Sequence, residues 1–474
     1  MKVNTAVLSL SLVFALVSSV LAEPVVVSTS DDRAEVEVTV YNDNLGLIKE
    51  VRKVELPKGQ GELRFMDVAA HIRPVTVHVK STHNPADFSV LEQNYEYDLI
   101  SPEKLLDKYV GKNIKLIEWN KIHDRKEIVE ATLLSNNQGQ VYKINDEIYL
   151  GHHGIRVLPR LPEDLIAKPT LMWLYNSGTD KQQTLEVSYL TGNLSWRADY
   201  VVVLNKDDTS ADVSGWVTLE NESGATYKDA RLKLVAGRVH QVEPPVPRPA
   251  RGMEKRALAA PQAPQFQEQA FFEYHMYDLQ RRTTIKNNQA KQVSLLEASD
   301  VKVAKELLVY GIQSYFTAEF RDRNPKQPVG VYIKFKNSKE NNLGMPLPEG
   351  IMRLYKTDRA GSNQFIGEDK IQHTPKDEEV KLKIGEAFDV VAERKQIDFK
   401  RITANLFESE WEIALRNHKE QEVEVGVIEP LFGSWQVISN SHPFTKIDAR
   451  TIRFNVLVPK DGEVKARYRV RVGF

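Results

Sequence analysis

The feature that most constrains this chain is its alternation. In AEVEVTVY (Ala34 to Tyr41), Val36, Val38 and Val40 fall on one side of an extended backbone, and Glu35, Glu37 and Thr39 on the other. Successive side chains of a strand point to opposite faces, so this pattern makes a strand with one face buried and suits no helix. The same period recurs in PTLMWLYN, QTLEVSYL, ADYVVVLN, DVSGWVTLEN and ARLKLVAG. It returns in VGVYIKFKN, SEWEIALRN, EVEVGVIEP, TIRFNVLVP and VKARYRVRV. Gly, Pro, Asn and Asp punctuate these runs roughly every 10 residues, as in antiparallel sheets. The expected class is therefore mainly β, with immunoglobulin-like β-sandwich regions.

Two segments break the rhythm. SPEKLLDKYVGK reads as one short helix, with Ser101 as N-cap, Pro102 at the first helical position and Gly111 past the end. NIKLIEW, EIVEATLLS, QVYKI, EIYL and IRVLP then follow as short strands with tight polar turns. Their size and spacing predict a small SH3-like barrel inserted into the larger β region. The resulting division is a signal peptide (1–22), an N-terminal β region (23–100), the helix with the inserted barrel (101–160) and a β-sandwich (161–242). A Pro-rich linker or loop (243–269) and a C-terminal β-sandwich region (270–474) complete it.

At the N-terminus, Lys2 precedes an apolar run from Ala6 to Val17, and Val20-Leu21-Ala22 suits a signal peptidase. The reading is export after cleavage behind Ala22, to the periplasm or in association with the outer membrane, with no transmembrane helix afterwards. The absence of Cys leaves no disulfide staple in an oxidising compartment, so the cores must supply stability. Lys+Arg number 64 against 65 Asp+Glu, a net charge of −1, which offers no global attraction to nucleic acid or to anionic membrane. The expected partner is an envelope protein or a glycan. VKARYRVRVGF, ending in Phe474, also resembles the last strand of an outer-membrane barrel. The Pro-rich segment and the lack of repeated lipid-facing strands with aromatic girdles argue against that alternative.

Candidate chemistry is sparse. In YLTGNLSWRADYVVVLN, Gly192-Asn193 reads as the turn of a hairpin between TLEVSYL and ADYVVVL and Trp196 as a ring closing a core, while Arg197 and Asp199 share a face within ion-pair reach. This reads as a structural motif. His152-His153 point to opposite sides if extended and chelate poorly. No G-x-S-x-G elbow surrounds Ser214 or any other serine, and no dinucleotide or phosphate-loop fingerprint occurs. Acid clusters at Asp377, Glu378 and Glu379, and at Glu408 and Glu410 beside Trp411, are the kind glycosidases use, but also the kind any soluble surface carries. Arg467, Arg469 and Arg471 form a basic stripe, read as solvated or as an anion surface. No cofactor or metal is expected. The aromatic run FFEYHMYDL offers Phe271, Phe272, Tyr274 and Tyr277 as an interaction surface, unless the strand is buried and its rings are core. An echo links Asn176, Glu186-Val187, Gly192 and Trp196 with Asn417, Glu424-Val425, Gly433 and Trp435.

Taken together, VYNDNLGLIKEVRKVELPKGQGELRFMDVAAHIRPVTVHV, LEQNYEYDLISPEKLLDKYVGK, SYLTGNLSWRADYVVVLN and SGWVTLENESGATYKDARLKLVAG resemble the bacterial secreted family catalogued as domain of unknown function 4139. The resemblance implies a mostly β, exported bacterial protein without an assigned activity, distantly similar to mucoidy-inhibitor-like proteins. It carries over no catalytic residue. The function expected is non-enzymatic binding or a structural role in the cell envelope, the alternative being a carbohydrate-active or other hydrolytic enzyme with a loop-built site.

Overall fold

The structure, a computed structural model, describes residues 24–96, 100–120, 124–162, 165–166, 168–237, 239–241, 266–320 and 325–473. The expected leader (1–22), most of the Pro-rich stretch and Phe474 lie outside the described residues. Of the described residues, 64% are in strands and 6% in helical structure, in several sheets of sandwich-like arrangement. The chain divides into two compact units. One holds the described residues up to Val36 with Lys49–Leu190; the other holds Glu37–Ile48 and the chain from Thr191 onward.

In the first unit, Val25–Ser28 runs parallel to Gly59–Met66, which pairs antiparallel with Thr170–Ser177. Thr170–Ser177 pairs in turn with Phe88–Glu96. The alternating positions Leu63, Phe65, Leu171, Trp173 and Tyr175 are buried, with the Phe65 and Trp173 ring centroids 5.1 Å apart. Glu50 and Arg52 also take inward positions, in line with Val54 on the strand Leu45–Glu55, and both are fully buried. The Arg52 guanidinium lies 3.6 Å from the Phe65 centroid and its Nη1 donates to the Ser28 carbonyl at 3.1 Å. Glu50 answers Arg52 at 3.1 Å and Arg33 at 2.6 Å, so the buried charges are paired.

Phe88–Glu96 and Thr170–Ser177 are hydrogen-bonded neighbours, so the chain between them is an insertion at one place in that sheet. It contains the helix Pro102–Tyr109, where Ser101 Oγ accepts from the Lys104 N–H at 3.1 Å. It also contains a five-stranded antiparallel sheet ordered Glu147–Leu150, Val141–Ile144, Arg125–Ser135, Asn113–Asn120, Ile155–Val157. The fifth strand pairs with the first, the order of a small SH3-like barrel, and the sheet stays open between its fourth and fifth strands among the described residues. Tyr109 of the helix packs with Leu116, Leu133 and Tyr142 in this sheet's own core, and its hydroxyl donates to the Arg160 carbonyl at 2.6 Å.

In the second unit, neighbours in space are often remote in sequence. Leu194–Leu204 lies between Ser210–Asn221, antiparallel, and Gly350–Thr357, parallel, with Ala198 opposite Gly350. Gln289–Lys302 and Asn363–Ile371 form the edges of that sheet. Glu37–Tyr41 runs parallel to Tyr227–Ala236, which pairs with Tyr274–Leu279, itself in a hairpin with Phe266–Phe271. Toward the C-terminus, Trp411, Ile413, Val425, Val427, Phe454 and Tyr468 centre one core between two further sheets. Ala466, Tyr468, Val470 and Val472 all point into it. The apolar alternation of the last strand, which resembled a lipid-facing barrel strand, thus faces a protein core.

Internal repetition falls on a different asparagine from the one expected. Asn176 sits exposed inside the strand Thr170–Ser177 and opens no turn. The residues that match Asn417 are Asn221 and Asn337, all three fully buried just after or at the end of a strand. Each donates its Nδ2 to three backbone carbonyls: Ala225, Ile285 and Lys286 for Asn221, Met345, Thr374 and Pro375 for Asn337, and Gln421, Val458 and Pro459 for Asn417. Each Oδ1 accepts a loop N–H as well. Asn417→Ala orphans those buried groups and is expected to cost ~1–3 kcal/mol in urea unfolding. Asn176→Ala is expected to stay within ~0.5 kcal/mol of the parent.

Candidate functional site

The motif around Trp196 is a packing device. Asn193 adopts a left-handed φ of 56° between two strands that belong to different sheets, so the turn is a crossover and not a hairpin. Asn tolerates that conformation because its short side chain can bond locally. Trp196 is buried, its Nε1–H donates to the Val235 carbonyl at 3.3 Å, and its ring meets Tyr277 edge-on at 6.2 Å. Arg197 and Asp199 approach to 3.5 Å within a larger net. Asp199 also accepts from Arg353 at 3.0 Å and from Thr218 at 3.1 Å, and Arg197 reaches Glu220 at 2.7 Å.

The basic stripe and one acidic cluster turn out to be partners. On Leu406–Asn417 and Glu463–Gly473, Glu408 stands opposite Arg471, Glu410 opposite Arg469 and Glu412 opposite Arg467. Arg469 bridges Asp398 at 2.9 Å and Glu408 at 3.0 Å and also binds Glu410; Arg471 holds Glu408 at 2.9 Å. Cross-strand pairs of opposite charge stabilise a sheet face, and here they commit both stripes to each other. Hydrogen bonds from Arg471 and Arg469 hold the Glu408 carboxyl below its ordinary value, and Arg469 does the same for Asp398. A carboxyl depressed in the folded state adds stability that is present above the unfolded value, ~4, and is lost as pH falls through the folded one. Glu408→Gln is therefore expected to lower the melting temperature at pH 7, and the gap to the parent should narrow and close as the pH is lowered through the acid range below the unfolded value of ~4. A gap that persists at low pH would show that the charge is not its cause.

Of the remaining candidates, Asp377 has a left-handed φ of 68° in an exposed turn, and Glu379 lies 3.9 Å from Lys334. His152 Nδ1 accepts from the Gly154 N–H at 2.9 Å and its ring stands edge-on to Tyr142, while His153 is exposed. Among the described residues no group of three or more His, Asp or Glu side chains is arranged to hold a metal ion.

The aromatic run divides by position. Phe266–Phe271 and Tyr274–Leu279 form a hairpin whose two-residue tip is Phe272-Glu273. Tyr277 belongs to the core: it is buried against Trp196, burial pushes its phenol far up, and its hydroxyl donates to the Pro346 carbonyl at 2.9 Å. Tyr274 is half-buried, with its ring 6.1 Å from that of Phe272. Phe271 is 49% exposed and Phe272 85% exposed. Phe272 also holds a φ of 55°, an uncommon conformation for a bulky residue. Tyr41, on the outward face of its own strand, joins this surface; burial first and Tyr274 second raise its phenol. Sequence reasoning missed Tyr41, although the alternation that buries Val36, Val38 and Val40 already turns it to the opposite face.

A sequence profile described as Domain of unknown function (DUF4139) matches residues 185–434. That span contains the Trp196 motif, the aromatic hairpin and much of the C-terminal sandwich. No curated protein matches the chain.

Proposed function

This chain belongs to the family described as Domain of unknown function (DUF4139), and we propose that it is a non-enzymatic binding protein of the bacterial cell envelope, exported by the leader read at residues 1–22. The observation that carries the reading is the hairpin tip, where Phe271 and Phe272 stand side by side in solvent and Phe272 holds a left-handed backbone. Apolar rings in water are poor for solubility and good as anchors, and local backbone strain clusters at binding sites. Glu408 and Glu410, the acid pair beside Trp411, are engaged with Arg469 and Arg471 on the C-terminal sheet. The test is capture from envelope extract by the parent and by the Phe271→Ala/Phe272→Ala variant. Loss of the captured material with an unchanged melting curve is the expected result; equal recovery rules the tip out as the contact surface. Fractionation is expected to place the intact protein in the periplasm or with the outer membrane, and a chain lacking residues 1–22 in the cytoplasm.

A further inference from the structure

We infer that the sheet face beside this hairpin binds a neutral oligosaccharide, an inference that rests on the hairpin being a contact surface. The register defines the face. Gln269, Met276, Val235 and Tyr41 are successive partners across four strands and point the same way. One step along, Phe271 pairs with Tyr274, and Gly237 lies two residues beyond Val235. Gly237 is what lets Tyr274 lie across the sheet. A Cβ there would fall 2.5 Å from Tyr274 Cδ1, and the residue also holds a φ of 128°. Val235 and Met276 are buried in this row although they point outward, with half-buried Tyr41 in line with them. The result is a shelf of Tyr41, Tyr274, Phe271 and Phe272 rings.

The polar groups around the shelf select the ligand. In the next row are Gln267, Asp278, Lys233 and Thr39. Lys233 is neutralised by Glu37 at 2.9 Å, and the hairpin tip adds Glu273, while Glu268 lies on the opposite face against His275 at 2.8 Å. This charge balance offers no attraction to phosphate headgroups or nucleic acid. Sugar rings present C–H faces flanked by hydroxyl edges. Aromatic rings cover the former at low entropic cost, and amides and carboxylates bond the latter. Rings in a row, bordered by Gln267, Gln269 and Asp278, match that alternation.

The test is titration of the mature chain with a panel of neutral oligosaccharides: N-acetylglucosamine, β-glucose and galactose oligomers. At least one is expected to bind, and Tyr274→Ala, Tyr41→Ala and Gly237→Ala are each expected to weaken it about tenfold or more. Tyr41→Phe should restore most of the affinity, since it keeps the ring. Absence of binding to every member overturns the inference, as does binding that Tyr274→Ala and Tyr41→Ala leave unchanged. If sugars fail while Phe271→Ala/Phe272→Ala still abolishes envelope capture, the contact surface stands. Protease-sensitive captured material would then point to a protein strand docking on the edge Phe266–Phe271.

Discussion

Glu429→Ala is expected to destabilise the second unit by ~3–5 kcal/mol, the cost of leaving a buried charge without its partner. Glu429 and Arg394 are essentially inaccessible to solvent and pair at 2.7 Å inside the C-terminal core. Arg394 is further held by Gln327 at 2.9 Å and stacks near Tyr315 and Trp411, at 5.1 and 5.8 Å. Burial pushes the Glu429 carboxyl up and Arg394 opposes it. Removing the carboxylate leaves the guanidinium charged in a place where water cannot reach it. Replacing both residues, Arg394→Met with Glu429→Leu, should bring stability back toward or above the parent, because well-packed apolar groups avoid the desolvation penalty. Urea unfolding of the two variants decides the matter: a single variant as stable as the parent would refute the account.

Trp196→Ala is expected to cost a further ~3–5 kcal/mol, by lost burial and an unfilled cavity. The indole is only 3% exposed. It joins the sheet containing Leu194–Leu204 to the strand Tyr227–Ala236 through its bond to the Val235 carbonyl, and it supports Tyr277. Trp196→Phe should recover much of the packing but not the hydrogen bond, and so fall between the two. A melting temperature for Trp196→Ala equal to that of the parent would contradict the assignment. The variant should also loosen the floor beneath the aromatic shelf, since Val235 belongs to both.

Much of this was legible from single residues. The period of two identified the strands, the Ser101-Pro102 start and Gly111 placed the helix, and the burst of short runs marked the inserted sheet. The buried charges were also written in the pattern. Glu50 and Arg52 occupy the same phase as Val54, and Arg394 the same phase as Val390 and Ala392, so a strict reading of alternation would have turned them inward. What hides them is that charge normally marks the outer face of a strand. The acids Glu408 and Glu410 and the basic stripe Arg467, Arg469 and Arg471 are each visible in the sequence, but only strand register sets them opposite one another and adds Glu412 to the pairing. Trp and Gly spacing hints at the repeat, whereas its physical basis is the buried clamps of Asn221, Asn337 and Asn417.

The sequence by itself determined the class of the protein, the phase of each strand and hence which residues of a strand are buried together, because side-chain alternation is a local property of extended backbone. Only the tertiary structure decided which strands are neighbours. Leu194–Leu204 runs parallel to Gly350–Thr357, and Glu37–Tyr41 parallel to Tyr227–Ala236, across long stretches of intervening chain. Backbone hydrogen bonds between strands carry no record of sequence distance, so the pairing is chosen by packing of the completed faces. That choice brings Tyr41, Gly237, Phe271 and Tyr274 onto one surface and sets Arg469 among three carboxylates.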